Sequence, residues 1–175
     1  METVTIRPAT LDDAPALAET VVLGFESYRA WAPSGWEPPP PHLHLVGIRE
    51  RLADPGVWCA LAEAGGETTG HVAFTPARAA EEPRDPLPGL AHLWMLFVRE
   101  PWWGTGVAAD LLARATAEAA GRGYESIRLL TPAGHARARG FYEREGWRPV
   151  AAPAYEPALG LDLVEYRRPL AVPAS

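Results

Sequence analysis

The chain has 175 residues, 47% hydrophobic and 22% charged, with a formal net charge of −6. That composition is globular, with enough mass for a sizeable core, and it excludes a disordered chain and wholesale binding to nucleic acid. One cysteine, Cys59, leaves no intramolecular disulfide and no cysteine-built metal cluster, which fits a reducing compartment. An acidic surface mildly favours cationic partners such as amines. Met1–Val4 lacks the basic and apolar regions of a signal peptide, and no apolar run approaches membrane length, so a cytoplasmic location is expected. No repeat or linker interrupts the chain, so one domain over 1–175 is expected.

In chain order, Val4-Thr5-Ile6-Arg7 alternates as a short strand and Pro8 stops it. Thr10 and Asp13 then open a helix carrying Ala16, Leu17, Val21, Val22 and Phe25 on one face, to about Ser27. From Tyr28 to His44 the aromatics Tyr28, Trp31 and Trp36 precede Pro38–Pro41, an extended connection. Two readings stand there: aromatics tucked onto the core, or one wall of a substrate pocket. His42 and His44 lack a third ligand at useful spacing, so no metal site is expected. Leu45–Leu52 suggests a second helix. Val57–Ala62 and Thr68–Thr75 read as strands joined at Gly65-Gly66, with Gly70 marking a bulge or a close approach. A solvated loop is expected over 76–88.

Leu93–Val98 is an apolar run bounded by charge, a buried strand. A turn with Gly104 and Gly106 follows, and then a helix whose stripe is Val107, Leu111, Leu112, Ala115 and Ala119. Small residues there let a ligand approach the backbone, and the free N–H groups of the helix start favour an anion, most plausibly a phosphate. A Walker loop would need Gly-Lys-Ser/Thr where Ala108-Ala109 stands, and a dinucleotide fingerprint would need a third glycine and a later acidic residue. Glycine ends the helix near Gly121–Gly123. Glu125–Leu130 is a strand, Gly134–Gly146 contains a short helix, and Leu161–Tyr166 is a last strand after an irregular 151–160.

Trp103-Gly104-Thr105-Gly106-Val107-Ala108, after Leu96-Phe97-Val98, resembles the acyl-coenzyme A loop of the GCN5-related N-acetyltransferase family, Arg/Gln-x-x-Gly-x-Gly/Ala. Trp103 stands where that family usually has Arg or Gln. A second family pattern, Asn-x-x-Ala-x-x-Phe-Tyr-x-x-x-Gly-Phe, is matched at Ala138, Phe141, Tyr142 and Gly146, with His135 for Asn and Trp147 for Phe. The element order β-α-α-β-β-β-α-β-α-β-β is also the family's, and the likeness covers nearly the whole chain.

The resemblance implies an α/β (α+β) fold, a mixed, mostly antiparallel sheet of about six or seven strands with about four helices, splayed where the cosubstrate enters. It implies transfer of an acetyl or short acyl group from acyl-coenzyme A to a primary amine in a ternary complex, without a metal. Leu96, Phe97 and Val98 would pair with the pantetheine arm, and the N–H of Phe97 or Val98 would polarise the thioester. Residues 103–108 would hold the pyrophosphate, and Tyr142 would protonate the leaving thiolate. His135 and Ala138 would lie near the pantetheine, with His135 capping its helix or replacing the amide's hydrogen bond. Strand alternation puts His92 on the face of Trp94, Leu96 and Val98, where it is a candidate base; a histidine satisfied at a strand end is the other reading. Glu26 and Glu100 are weaker candidates. Tyr28, Trp31, Trp36 and Trp94 would line the acceptor side, with no nucleic acid, no membrane and a homodimer as a family habit. Two alternatives stay open: a non-catalytic acyl-coenzyme A binding or sensing module, and an interaction protein that has lost the cosubstrate.

Overall fold

The computed structural model describes residues 3–79 and 85–171. Its strands are β1 (Thr5–Pro8), β2 (Trp58–Ala64), β3 (Glu67–Arg78), β4 (Pro86–Val98), β5 (Ser126–Pro132), β6 (Arg148–Pro149), β7 (Ala154–Glu156) and β8 (Leu161–Pro169). Its helices are α1 (Ala14–Glu26), α2 (Pro41–Leu52), α3 (Val107–Gly121) and α4 (Ala136–Arg144). All strands join one eight-stranded sheet, ordered β1-β2-β3-β4-β5-β8-β6, with β7 beside β8. Every adjacent pair is antiparallel except β4 with β5. The two short strands, β6 and β7, carry the sheet beyond the expected six or seven.

Two apolar clusters fill the two faces. One gathers Val72, Phe74 and Leu93 against the α3 stripe of Val107, Leu111, Leu112, Ala115 and Ala119. The other gathers Cys59, Leu61, Ala73 and Met95 against Ala14, Leu17, Ala18 and Val21 of α1 and Ile48 of α2. Each fully buried aliphatic side chain contributes about 1.5–3 kcal/mol, so these faces fix both helix layers.

The 3-10 turn Leu11–Asp13 that leads into α1 is pinned by charge as well as by a capping box. The Asp13 carboxylate accepts from the Thr10 backbone N–H at 2.7 Å and from the Arg7 guanidinium at 2.8 and 2.9 Å. Arg7 also donates to Glu63, tying β1 to β2. Hydrogen bonding to Arg7 holds the Asp13 carboxyl down at about 2 against an ordinary 3.8. A depressed pKa stabilises the fold above the ordinary value and ceases to do so as pH falls through the folded one. Melting temperature should therefore fall between about pH 4 and pH 2. Asp13→Asn should remove that part of the slope and cost about 1 kcal/mol at neutral pH, since the pair is partly solvated.

Three sequence expectations change here. The second helix begins at Pro41, not near Leu45, because proline's fixed φ and missing N–H suit the first helical position. The loop expected over 76–88 is narrower: β3 runs to Arg78 and β4 starts at Pro86, and its centre, 80–84, lies outside the described residues. In β4 the register slips, with Ala73 opposite Met95 and Phe74 opposite Leu93, so Trp94 is an extra residue. Such a bulge reverses alternation beyond it. Leu93, Leu96 and Val98 therefore share the α3 side, while Met95 and Phe97 face α1 and α2. His92, between Ala91 and Leu93, lies on the side opposite Leu96 and Val98, which corrects the shared face expected from strict period two.

Gly70 is a close approach: a Cβ there would meet the Phe97 carbonyl at 2.8 Å and Val98 Cα at 3.2 Å. The lack of a side chain lets β3 draw up against the end of β4. Gly24 of α1 does the same for the Phe97 ring, which a Cβ would overlap.

Candidate active site

The parallel ladder of β4 with β5 runs only from Leu90–Ser126 to Leu93–Leu129. Beyond it β4 continues to Val98, while β5, paired with β8 along its whole length, runs on to Pro132. The two strands part, and residues 94–98 and 130–132 become the sides of a wedge. A cavity of about 910 Å³ occupies it, lined by both strand ends, α1, α2, the start of α3 and α4.

The ladder also decides which amides face the wedge. Arg99 N–H donates to Thr69 O at 2.8 Å, on the β3 side. By alternation Phe97 N–H also faces β3, whereas the N–H groups of Leu96 and Val98 face away from it. Val98 O on that open side accepts from the Trp103 indole Nε1 at 2.7 Å. The backbone donor available in the wedge at this level is therefore Val98, not Phe97.

At the mouth, Gly104 and Gly106 have φ of +77° and +97°, and nothing lies within 4 Å of a Cβ built on either. Gly106 is the N-cap of α3, which has no side-chain cap, so the amides of its first turn point at open space. Trp103, Gly104, Gly106 and Ala108 line the cavity; Thr105 does not, its hydroxyl donating to Trp102 O at 2.7 Å, and Val107 is core. The Trp103 ring carries the Arg137 guanidinium 3.3 Å from its centroid. A cation from α4 thus sits on the residue that replaces the family's cationic or polar one.

Tyr142, on α4, is 8% exposed, and its ring is set among Phe141, Trp147 and Tyr166. The helix is held by Tyr166, whose hydroxyl donates to Glu143 at 2.8 Å and accepts from Arg139 at 3.1 Å. Tyr142 and Tyr28 both line the cavity. Burial raises both phenols above their ordinary 10, Tyr28 to about 12, so both stay protonated.

Of the expected acceptor wall, Tyr28 and Trp94 line the cavity, while Trp31 and Trp36 do not. Trp36 Nε1 donates to Leu159 O at 2.7 Å, and Trp31 stacks on His135 at 4.8 Å. These two rings brace the α1–α2 connection against the β7–β8 turn and α4. His135 stands at the N-cap of α4 but makes no side-chain cap bond, because its ring is taken up by Trp31 and Tyr28. Burial lowers its pKa to about 4, so it is neutral. Both His135 and Ala138 line the cavity.

His92 does not line the cavity. Burial, then the charges of Arg128 and Arg51, lowers it to about 4. Glu26 pairs with Arg29 at 2.7 Å, and neither it nor Glu100 reaches the lining. Two imidazoles do line it, His135 and His44; His44 stacks on Phe25, and its buried Nε2 has no hydrogen-bond partner among the described residues. Burial lowers its pKa, against a hydrogen bond to the Pro39 backbone. The sequence signal was its placement: with α2 starting at Pro41, His44, Gly47, Ile48 and Arg51 follow helical spacing on the face that lines the cavity.

Among solved structures, an acetyltransferase from Thermus thermophilus is 26% identical, covers 97% of this chain and 100% of its own, and superposes with a TM-score of 0.67. The GNAT domain of S. lividans PAT is 20% identical over 95% of this chain and 90% of its own, with a TM-score of 0.74. PaiA N-acetyltransferase from Thermoplasma acidophilum, solved in complex with coenzyme A, is 14% identical over 93% and 98%, with a TM-score of 0.67. No curated protein sequence matches the chain. The family model described as acetyltransferase (GNAT) family matches residues 23–147, a span holding the bulged β4, the glycine turn and α4 alike. The likeness expected from two short motifs thus extends over most of the chain, which belongs to the GNAT acetyltransferase family.

Proposed function

We propose that this chain transfers an acetyl or short acyl group from acyl-coenzyme A to a primary amine in a ternary complex. The observation that carries this reading is the wedge between β4 and β5, which opens free backbone donors directly beside the uncapped start of α3. An extended pantetheine amide chain suits the open edge of β4, and a pyrophosphate suits the α3 amides. Glycines 104 and 106 remove the side chains that would fill the cradle, so the residues present fit the cosubstrate.

Residue roles follow from position. His44, whose pKa burial lowers and whose Nε2 has no hydrogen-bond partner among the described residues, accepts a proton from the amine on the acceptor side. The amine nitrogen forms the new bond to the acyl carbon, and Val98 N–H stabilises the oxyanion that develops. Collapse breaks the carbon–sulfur bond, and Tyr142 donates its proton to the departing thiolate. The wedge contributes by holding both reactants at contact distance.

Arg137 supplies the cation that the loop lacks. Its guanidinium rests on Trp103 at the phosphate end, and cation–π contact holds it there. Arg137→Gln should raise the acetyl-coenzyme A dissociation constant about tenfold and flatten its salt dependence. Trp103→Ala should weaken binding as well, by freeing the arginine. Equal affinity in all three proteins, by calorimetry, would remove Arg137 from the phosphate site.

The function is tested by titrating acetyl-coenzyme A into the protein and then following thiol release with an amine panel. Binding without turnover on any amine would favour a sensing module; no binding would favour an interaction protein.

A further inference from the structure

The cavity as a whole carries a charge pattern that net composition hides. The chain is acidic overall, yet its cavity lining holds Arg51, Arg137 and Arg144 and, among the described residues, no aspartate or glutamate. Arg51 closes the acceptor side from the last turn of α2. Its guanidinium lies 4.3 Å from the centroid of the Trp94 ring, and among the described residues it has no carboxylate partner. The Trp94 indole Nε1 is buried without a hydrogen-bond partner among the described residues. Both groups can only donate. Arg51 is exposed at the cavity rim, so a ligand in the cavity can reach its guanidinium, and the group that pairs best with it is an anion.

The rest of this wall is apolar or aromatic, with Phe25, Leu43, Ile48 and Phe97. His44, the base of the acyl-transfer reading, lies on the cavity-lining face of α2 seven residues before Arg51, about 10 Å at 1.5 Å per residue. Strand β4 gives the same span: Trp94 and Phe97 are three residues apart, about 10 Å. Amine and anion are thus recognised at opposite ends of an apolar body.

We infer that the acceptor is a primary amine whose aromatic or apolar body carries a carboxylate at its far end, gripped by Arg51 over Trp94. This rests on the acyl-transfer reading and narrows its acceptor class. A polyamine is disfavoured, because its second ammonium would meet Arg51 with no carboxylate to offset it.

Three matched amines test it: para-(aminomethyl)benzoate, benzylamine without the carboxylate, and phenylglycine with the carboxylate beside the amine. With saturating acetyl-coenzyme A, kcat/KM for para-(aminomethyl)benzoate should exceed that of both others by about tenfold or more. Arg51→Gln should erase that advantage by raising KM for the acid, and Arg51→Lys should keep part of it. Benzylamine or phenylglycine matching the acid would overturn the inference, as would an advantage that survives Arg51→Gln. Calorimetry with acetyl-coenzyme A separates the two levels. Binding with no turnover of the acid refutes this acceptor class alone, whereas no binding refutes the acyl-transfer reading and this inference with it.

Discussion

Tyr142→Phe should lower kcat by about a hundredfold or more while leaving the acetyl-coenzyme A dissociation constant within about twofold. The ring is buried and fixed by Phe141, Trp147 and Tyr166, so phenylalanine fills the same space. Among the described residues the hydroxyl has no hydrogen-bond partner, so its removal strands none, and melting temperature should move little. What disappears is the proton. Desolvation, then the neighbouring Tyr28, raises the phenol above its ordinary pKa, so it is a neutral donor throughout the working range. A thiolate leaving without that donor must be expelled as an anion or wait for water. Tyr28→Phe is the internal comparison, since it removes the other phenol of the same cavity. A loss in Tyr28→Phe but not Tyr142→Phe would move the acid role to α1's continuation. Full activity in both would leave the thiolate to solvent.

How much of this was legible beforehand depends on which physical signal each feature leaves in the sequence. The strand-turn-helix around Gly104 and Gly106 was readable because three independent signals coincide there: an apolar run, two glycines and a helical stripe. The α4 match was readable from Ala138, Phe141, Tyr142 and Gly146, whose spacing survives single substitutions such as His135. The face of His92 was not readable, because period-two arithmetic cannot see an inserted residue, and the bulge at Trp94 is set by pairing with β3. His44 was obscured by the proline run, whose last member starts a helix instead of preventing one. Trp31 and Trp36 share the composition of a binding wall, and only tertiary contacts with His135 and Leu159 show that they brace the connection. Net charge says nothing of how charge is distributed: the chain totals −6, yet among the described residues the cavity lining holds three arginines and no carboxylate.

The double variant Gly104→Asp, Gly106→Asp should abolish acetyl-coenzyme A binding, raising the dissociation constant at least about a hundredfold, equivalent to about 2.7 kcal/mol. Two effects act together. Both glycines hold a left-handed φ, which costs an L-residue about 1–2 kcal/mol, so the turn shifts away from the geometry that aims its amides outward. Each aspartate also places a carboxylate where the phosphate oxygens would lie. At position 106, the N-cap of α3, that carboxylate can itself accept from the first-turn N–H groups and occupy the anion site from within. The same capping offsets part of the backbone strain. With no atom within 4 Å of either added Cβ, the core beneath α3 is untouched and the protein should remain folded. Gly106→Ala separates the two effects, since it carries the strain without the charge. If alanine loses as much affinity as the aspartates, backbone geometry alone makes the site. If alanine binds nearly as the parent does and the aspartates do not, the amides at the start of α3 act as an anion site. If the double variant binds as tightly as the parent, the phosphates lie elsewhere, and the wedge between β4 and β5 loses its principal claim to the cosubstrate.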